Sequence, residues 1–260
     1  MLPRLSVIIA THDRVPYLSR AIRSIKDQGV DGVQLIVVSD LAHAPTHALA
    51  SALLSGDDLF VQRSGAPGPA VSRNLGIRLA QAGHVMFLDD DDSHAPGFLA
   101  ELLPQLDAAA DEVLYCDAYL VREQRAVDAV QMQALSQLSF GPVTHDALAV
   151  KNQIPNNCLV FPRPLLLDCP FDESLVLLED WDHLLNTLSR ARLRHLPVRG
   201  PVIHQIDPAS GSTRNISNVD RLLDTTLRIY EKWPAPSPAA KAARQAHFES
   251  AGIHLPAGLF

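Results

Sequence analysis

The sequence has few of the residues on which many secreted and membrane proteins depend. Its 260 residues include three cysteines, and only 5% are aromatic. The cysteines have no CxxC spacing and cannot all pair, which predicts reduced thiols and a cytoplasmic location rather than a metal cluster on sulfur. No apolar run approaches the roughly 20 residues of a membrane-spanning helix. We therefore expect no transmembrane segment, although peripheral contact with a membrane surface stays compatible with the sequence.

Long basic runs and phosphate-binding glycine motifs are also absent. The formal net charge is −7 at pH 7, and the arginines near the N-terminus lie among acidic residues. This balance argues against nucleic acid as a partner. The sequence has neither a Walker loop nor a G-x-G-x-x-G segment, which argues against kinases and dehydrogenases.

The first ninety residues alternate short β-branched runs with helical patterns, which predicts βαβ units and an α/β fold with a largely parallel sheet. Strands are predicted at residues 5–10, 33–38, 59–62 and 85–88. The second half is less regular, with strand candidates at 113–115, 159–161 and 193–198 and a helix that contains Trp181. Amphipathic helices are predicted from Asn218 and over 239–249, with the tract 234–238 as a linker.

Polar residues follow three of the predicted N-terminal strands. They are Thr11 to Arg14, Ser39 with Asp40, and Asp89 to Asp92. In open α/β sheets, ligands bind beyond the carboxyl ends of the strands, because loops and helix N-termini converge there. These three polar segments, which we call the strand exits, therefore predict a single crevice.

Four consecutive aspartates end the fourth predicted strand. Adjacent carboxylates repel one another unless a cation or hydrogen bonds offset the cost. Alternation along an extended chain predicts Asp89 and Asp91 on one side, where they would hold Mg²⁺ or Mn²⁺. Asp90, on the other side, would reach a ribose or cap the next helix. The alternative is a solvated acidic turn that contains a helix cap.

Two other acidic motifs can be compared by their spacing. An EF-hand loop counted from Asp89 needs glycine at position 94 and glutamate at position 100, but the chain has His94 and Ala100. A haloacid dehalogenase-type phosphatase also has a D-x-D pair after a strand. That strand normally opens the core, whereas these aspartates follow the fourth strand, so the phosphatase is a poorer fit.

Four segments in order, 5–14, 68–76, 87–92 and 178–182, resemble those of the family 2 glycosyltransferases. The resemblance covers roughly residues 4–215. It implies the GT-A fold, in which a Rossmann-like, mostly parallel central sheet is flanked by helices. The expected organisation is a GT-A domain over 1–215, with a nucleotide-binding half (1–112) and an acceptor half (113–215), and a C-terminal helical extension over 216–260.

The resemblance implies an inverting transfer of a sugar from a nucleotide diphosphate sugar, most commonly a UDP-sugar. The acceptor would be a hydroxyl of a glycan, a lipid-linked molecule or a small molecule. The residues expected at the nucleotide are Thr11, His12, Arg14, Asp40, Arg73 and Asp90. Asp89 and Asp91 would bind Mn²⁺ or Mg²⁺, which would stabilise the charge of the leaving diphosphate. For Arg73 a surface ion pair, and for Asp40 a turn position, are the alternatives.

An inverting displacement also needs a carboxylate that accepts the proton of the acceptor hydroxyl. The family places its base at a Glu-Asp pair, which corresponds here to Glu179 and Asp180, and Asp180 is the candidate. The alternative is an N-cap of the helix that follows.

His204 is expected just after a strand, before the segment 206–215, where it would close over the metal and the diphosphate. Arg214 in that segment is a candidate phosphate contact. The alternatives are a structural histidine and a solvated loop arginine.

The sequence departs from the family pattern at two places. Many relatives have an aromatic residue at the position of His12, and Asp-Asp-Gly-Ser where this chain has 39–42. A Gln-x-x-Arg-Trp segment is absent, so the resemblance is to the single-addition members. These departures leave open a nucleotide-sugar-binding or scaffold protein that has the fold without turnover.

Overall fold

The computed structural model describes residues 2–107, 109, 111–125, 130–206 and 219–259. Nine strands in these ranges form one sheet. The strands are β1 (Leu5–Thr11), β2 (Val33–Ser39), β3 (Leu59–Gln62), β4 (His84–Asp89), β5 (Ser93–His94), β6 (Glu112–Arg125), β7 (Val130–Leu138), β8 (Leu159–Pro162) and β9 (Arg192–Ile206). The helices are α1 (Val15–Lys26), α2 (Ala44–Leu53), α3 (Pro69–Leu79), α4 (Phe98–Leu106), α5 (His145–Val150), α6 (Arg163–Asp168), α7 (Glu179–Leu188), α8 (Val219–Lys232) and α9 (Pro238–Ser250).

The N-terminal half of the sheet is parallel, as the sequence predicts. The strand order is β3-β2-β1-β4-β8-β6-β9-β5, and β7 pairs with residues 118–125 of β6, beyond the stretch that pairs with β8. The register places Thr11 beside Ser39 and Ala10 beside Asp89. The carboxyl ends of β1, β2 and β4 therefore lie at one edge of the sheet. The predicted bounds of the first four strands are correct to within one residue at each end.

The second half of the sheet is mixed and was predicted only in fragments. Strand β8 is antiparallel to both β4 and β6, whereas β6 and β9 are parallel to each other. Strands β6 and β9 continue well beyond the predicted runs 113–115 and 193–198. The added length is rich in polar residues, and its pairing with β7 and β5 depends on contacts that local sequence does not report.

Helices α1 and α7 bury the stripes that their spacing predicts. In α1 the buried residues are Leu18, Ala21, Ile22 and Ile25. In α7, Trp181 packs into the core and donates from its indole nitrogen to the Leu148 carbonyl over 2.7 Å. The predicted period of 3.6 residues is thus confirmed for both helices.

The C-terminal helices are fixed to the rest of the domain by buried polar contacts. Asp182 in α7 accepts hydrogen bonds from Lys232 Nζ at 2.9 Å and Trp233 Nε1 at 2.8 Å. Arg244 of α9 is fully buried, with its guanidinium 3.9 Å from the ring centroid of Tyr230. Because a buried charge is costly without partners, these contacts specify where α8 and α9 pack.

The tract predicted as a linker is a short connection between α8 and α9. Ser237 at its end caps α9 by accepting from the Ala240 amide, and its hydroxyl also contacts Asp146 on α5. The predicted domain boundary at 215 lies outside the described residues. Within the described ranges, no helix combines the length and apolar character needed to cross a bilayer.

Gly76 is a point of close helix–sheet approach. A Cβ atom at this position of α3 would lie 2.5 Å from Cγ2 of Ile8, which is fully buried in β1. We expect Gly76→Ala to lower the free energy of unfolding by about 1–3 kcal/mol through overpacking, despite the roughly 1 kcal/mol of helix propensity that alanine gains over glycine.

Urea unfolding with an unchanged m-value measures this difference. Gly83→Ala is the control, because a Cβ there has no heavy atom within 4 Å. A Gly76→Ala variant at least as stable as the parent would contradict the expected clash.

Candidate active site

The three strand exits meet at a cavity of about 240 Å³. Its lining includes Ala10, Thr11, His12, Arg14, Asp40, Pro69, Ser72, Arg73, Asp89, Asp90 and Asp91. Eight of the eleven predicted site residues are thus brought together. Asp180 and His204 lie outside the lining, and Arg214 lies outside the described residues. The predicted crevice exists, whereas the roles assigned to its residues stay predictions.

The aspartates form a tight turn rather than the extended run that the sequence analysis assumed. The Asp92 amide donates to the Asp89 carbonyl over 3.0 Å, which closes the turn. The side chains of Asp89 and Asp91 are 43% and 26% exposed, compared with 8% for Asp90. The expected alternation of exposure is therefore present, but a turn produces it.

The two more buried aspartates, Asp90 and Asp92, are held by residues from distant parts of the chain. Asp90 accepts from Thr11 Oγ1 at 2.8 Å and Arg14 Nη1 at 3.1 Å. Burial raises the pKa of Asp90 to about 6, while Arg14 and Thr11 act in the opposite direction. Asp92 accepts from Asn157 Nδ2 at 2.6 Å and the His204 amide at 2.8 Å, and burial raises its pKa to about 8.

The two more exposed aspartates, Asp89 and Asp91, each form an ion pair with an arginine. Arg14 Nη1 lies 2.8 Å from Oδ2 of Asp91, and Arg73 Nη2 lies 2.9 Å from Oδ1 of Asp89. Burial acts to lower the pKa of Arg73, but Asp89 and Glu179 raise it above its usual value. The arginines thus offset part of the repulsion within the turn.

Asp89 and Asp91 have donor atoms that suit Mg²⁺ or Mn²⁺. In each carboxylate one oxygen accepts from an arginine, and among the described residues the other oxygen has no hydrogen-bond donor. No group of three or more His, Cys, Asp and Glu side chains in these ranges forms a complete metal site. Mg²⁺ commonly binds one or two carboxylates together with substrate phosphates and water, so a two-carboxylate site fits it.

The opposite side of the cavity is built around Asp40. Nδ1 of His12 donates to Oδ1 of Asp40 over 2.5 Å, and the Gly68 amide donates to Oδ2 over 2.8 Å. The His12 side chain is 51% exposed, whereas Asp40 is buried behind it. The ring of His12 is therefore the part of this pair that a ligand in the cavity meets first.

Arg63 is a residue of this region that the sequence analysis missed. Its buried guanidinium donates to Ser72 Oγ at 2.8 Å and to the carbonyls of Ala66 and Gly68 at 2.8 and 2.9 Å. These bonds fix the loop that precedes α3 and carries Gly68 towards Asp40. A lone arginine after a strand gives no local signal of such a role.

Arg73 connects the acidic turn to the predicted catalytic pair. Its Nη1 donates to Oε1 of Glu179 over 2.8 Å, while its Nη2 contacts Asp89. Glu179 begins α7, directly before Asp180. The acidic cluster and the Glu-Asp pair therefore share one guanidinium, although about ninety residues separate them in sequence.

Asp180 does not occupy the N-cap of α7. That position is taken by Leu178, which has a left-handed backbone (φ +58°) and provides no side-chain cap. Asp180 accepts from the Trp181 amide at 2.8 Å and from Asn152 Nδ2 at 3.1 Å. Burial raises its pKa to about 6, Glu179 adds to the increase and Arg73 opposes it. The N-cap alternative is wrong, although Asp180 does accept a first-turn amide.

A left-handed backbone in a non-glycine residue is strained, and its occurrence is informative. In the described residues it is found at Asp13 and Leu178, beside the first strand exit and the Glu-Asp pair. Such strain commonly accompanies functional sites. Both positions thus lie next to the residues that the sequence analysis selected.

His204 lies inside β9, paired with Val121, and not after a strand as predicted. Its Nδ1 is 2.6 Å from Oε1 of Glu123, and its Nε2 is 2.8 Å from Oγ of Ser93. Burial, together with Arg20, lowers the pKa of His204. Because both ring nitrogens have protein partners, metal binding would require one contact to break. Arg214 lies outside the described residues.

Comparison with known proteins identifies the family and the fold. The model of the glycosyl transferase family 2 matches residues 6–160. A Campylobacter jejuni GalNAc(5)-diNAcBac-PP-undecaprenol beta-1,3-glucosyltransferase is 34% identical over 105 residues, which are 39% of this chain and 34% of that protein. The succinoglycan biosynthesis protein ExoO of Rhizobium meliloti is 23% identical over 88% of this chain and 69% of its own length.

The fold also matches solved structures. S. aureus TarS has a TM-score of 0.66 at 18% identity over 94% of this chain, and this chain covers 43% of TarS. TarS 1–349 in complex with UDP-GlcNAc has a TM-score of 0.67 at 18% identity over 95% of this chain and 73% of that one. The matched part of this chain thus spans less than half the length of the Campylobacter protein and of TarS. Because the family model covers more than half of the sequence, this GT-A chain belongs to glycosyl transferase family 2.

Proposed function

We propose that this protein transfers a sugar from a UDP-sugar to an acceptor hydroxyl, with inversion and with the help of Mn²⁺ or Mg²⁺. The observation that carries this proposal is Arg73, which contacts both Asp89 of the acidic turn and Glu179 of the Glu-Asp pair. One guanidinium group, that of Arg73, thus joins the proposed metal site to the Glu-Asp pair that contains the proposed catalytic base, the two groups that such a transfer needs on either side of the sugar. The UDP-GlcNAc complex of TarS 1–349, a protein with the same fold, supports the choice of donor.

The nucleotide would bind in the cavity between His12 and the acidic turn. The half-exposed imidazole of His12 offers a face for the base, and Asp40 fixes the ring from behind. Thr11 and Asp90 form the floor, where their mutual hydrogen bond determines the position of both. Arg14 and Arg73 supply positive charge for phosphate oxygens.

Asp89 and Asp91 would hold the divalent ion, which when bound stabilises negative charge on the leaving diphosphate. Arg73 and Arg14 each donate to one oxygen of Asp89 and Asp91 respectively, which orients the carboxylates and reduces the repulsion between them. His204 is a weaker ligand candidate, since Ser93 and Glu123 contact its ring.

Asp180 would accept the proton of the acceptor hydroxyl. A pKa of about 6 keeps most of this carboxyl ionised near neutral pH and makes it a better base than an ordinary aspartate. Asn152 and the Trp181 amide orient its two oxygens. Asn152 lies in the half 113–215 that the sequence analysis assigned to the acceptor.

Three classes of acceptor fit this transfer, namely glycans, lipid-linked molecules and small molecules. The name of the Campylobacter relative, which contains undecaprenol, favours a lipid-linked acceptor and hence peripheral membrane contact. Three free, buried cysteines fit a cytoplasmic location. Nucleic acid is not among the partners we propose.

The two acidic sites predict different mutant phenotypes. We expect Asp91→Ala to lose the Mn²⁺-dependent rise in melting temperature with UDP, because a metal ligand is gone. Asp180→Asn should retain that rise but lose about 10²–10⁴-fold in rate, because only the base is removed. Thermal shift and UDP release from a UDP-sugar measure the two effects.

Asp224→Asn is the control, since Asp224 is exposed on α8 and pairs with Arg228. If Asp180→Asn transfers sugar as fast as the parent, Asp180 is not the base. Binding of UDP by the parent without release or transfer, whatever acceptor is supplied, would favour a nucleotide-sugar-binding protein.

The raised pKa of Asp180 predicts a pH-dependent difference in stability. An unfolded aspartate titrates near pH 4, whereas the folded group titrates at about 6. The folded state therefore binds this proton more tightly, and the resulting stabilisation is lost as the pH rises from 4 through 6. The free energy of unfolding of Asp180→Asn, relative to the parent, should rise over this range by about 2 kcal/mol or less, since the group is partly exposed.

Urea unfolding of the two proteins from pH 4 to pH 7.5 gives this difference directly. It should level off above pH 7, where the carboxyl is ionised in both states. Equal differences at pH 4 and pH 7 would mean that the folded protein does not destabilise the charged form of Asp180.

A further inference from the structure

A buried polar cluster lies behind the acidic turn, outside the cavity lining. We call it the rear cluster and define it as Arg20, Glu123 and His204, which come from α1, β6 and β9. Glu123 is at its centre and is 5% exposed. Its Oε1 accepts from Arg20 Nη1 at 2.7 Å and from His204 Nδ1 at 2.6 Å. One carboxylate thus joins a helix and two strands.

The rear cluster contacts three consecutive residues, Asp91 and Asp92 of the acidic turn and Ser93 directly after it; we call residues 89–93 the acidic segment. Arg20 Nη2 donates to the Asp91 carbonyl over 2.5 Å. The His204 amide donates to Oδ1 of Asp92 over 2.8 Å, and Nε2 of His204 lies 2.8 Å from Oγ of Ser93. Backbone, carboxylate and hydroxyl groups of residues 91–93 are therefore all fixed from one side.

Glu123 determines how its two neighbours are arranged. A carboxylate only accepts hydrogen bonds, so Nδ1 of His204 must donate to it. The ring is then oriented with Nε2 directed at Ser93. The same oxygen holds the Arg20 fork, so that Nη2 reaches the Asp91 carbonyl.

We propose that Glu123 is a positioning residue for the candidate active site. Acting through Arg20 and His204, it holds the acidic segment in the conformation that directs Asp89 and Asp91 into the cavity. Repulsion favours moving the four carboxylates apart, and the rear cluster adds contacts from behind to those that Arg14 and Arg73 make from the cavity side. The consequence for metal and donor binding rests on the proposed function, whereas the consequence for the conformation of the segment does not.

A second carboxylate on β6 provides a matched control. Asp117 accepts from His195 Nε2 at 2.9 Å and from Arg199 Nη2 at 3.3 Å, both on β9. Its other partners are Ser139 and the Phe140 amide, so its network does not reach the acidic turn. Asp117 thus has the same kinds of partner as Glu123 without the contact to residues 91–93.

The test compares Glu123→Ala, Glu123→Gln and Asp117→Ala in the full chain. Amide hydrogen exchange, read on peptides that cover residues 89–94, should be about tenfold faster in Glu123→Ala than in the parent. The Mn²⁺ concentration that gives half of the UDP-dependent thermal shift should rise by about tenfold or more. Glu123→Gln retains an acceptor oxygen for both donors and should remain close to the parent in both measurements.

Asp117→Ala should lower the melting temperature without changing either measurement. Equal exchange of residues 89–94 in the parent and Glu123→Ala, or an equal increase in Asp117→Ala, would overturn the proposal. If Glu123→Ala does not fold, Arg20→Lys is compared instead, because lysine cannot contact both Glu123 and the Asp91 carbonyl as a fork. If UDP does not raise the melting temperature of the parent in the presence of Mn²⁺, the proposed function is contradicted. The amide hydrogen exchange of residues 89–94 would still decide the role of Glu123.

Discussion

Repulsion among four successive carboxylates is the constraint on which the rest of this site depends. Each aspartate has a partner from a different part of the chain, and none of these partners is a sequence neighbour. Asp89 contacts Arg73, Asp90 contacts Thr11, Asp91 contacts Arg14 and Asp92 contacts Asn157. The sheet brings these partners to one edge, so the fold itself supplies the compensation that the local sequence lacks.

The same contacts divide the aspartates into two chemical types. Asp90 and Asp92 are buried, and burial raises the pKa of each, so they serve as the framework of the turn. Asp89 and Asp91 remain more exposed and are partly neutralised by arginines, which orient them towards the cavity. A divalent cation or a diphosphate in this cavity would therefore meet carboxylates and guanidinium groups that are already paired.

The C-terminal helices contribute to the site indirectly. Asp182 stands two residues after Asp180 and binds Lys232 and Trp233 at the end of α8. These bonds connect the first turn of α7 to the extension. Since Glu179 and Asp180 belong to that turn, the extension supports the position of the candidate base as well as the stability of the domain.

Much of the N-terminal half follows from local sequence. Alternating β-branched runs and helical stripes specify β1 to β4 and α1, because each pattern matches the period of the element and the face that it buries. The rule that ligands bind at the carboxyl ends of parallel strands then selects the crevice. The later elements β5, β7 and α4 were not predicted. Strands β5 and β7 are short or polar and are stabilised mainly by pairing, whereas α4 has an apolar stripe that is interrupted by Pro104, a residue that disfavours a helix interior.

By itself, therefore, the sequence determined the parallel sheet, the family resemblance and which side chains gather at its edge. Only the tertiary structure decided which carboxylates face the cavity, that Arg73 joins Asp89 to Glu179, and that His204 lies within a strand. The physical reason is distance along the chain. Arg73 and Glu179 are 106 positions apart, and the His204 amide and Asp92 are 112 apart. No local pattern encodes a contact that forms only when the whole sheet is assembled.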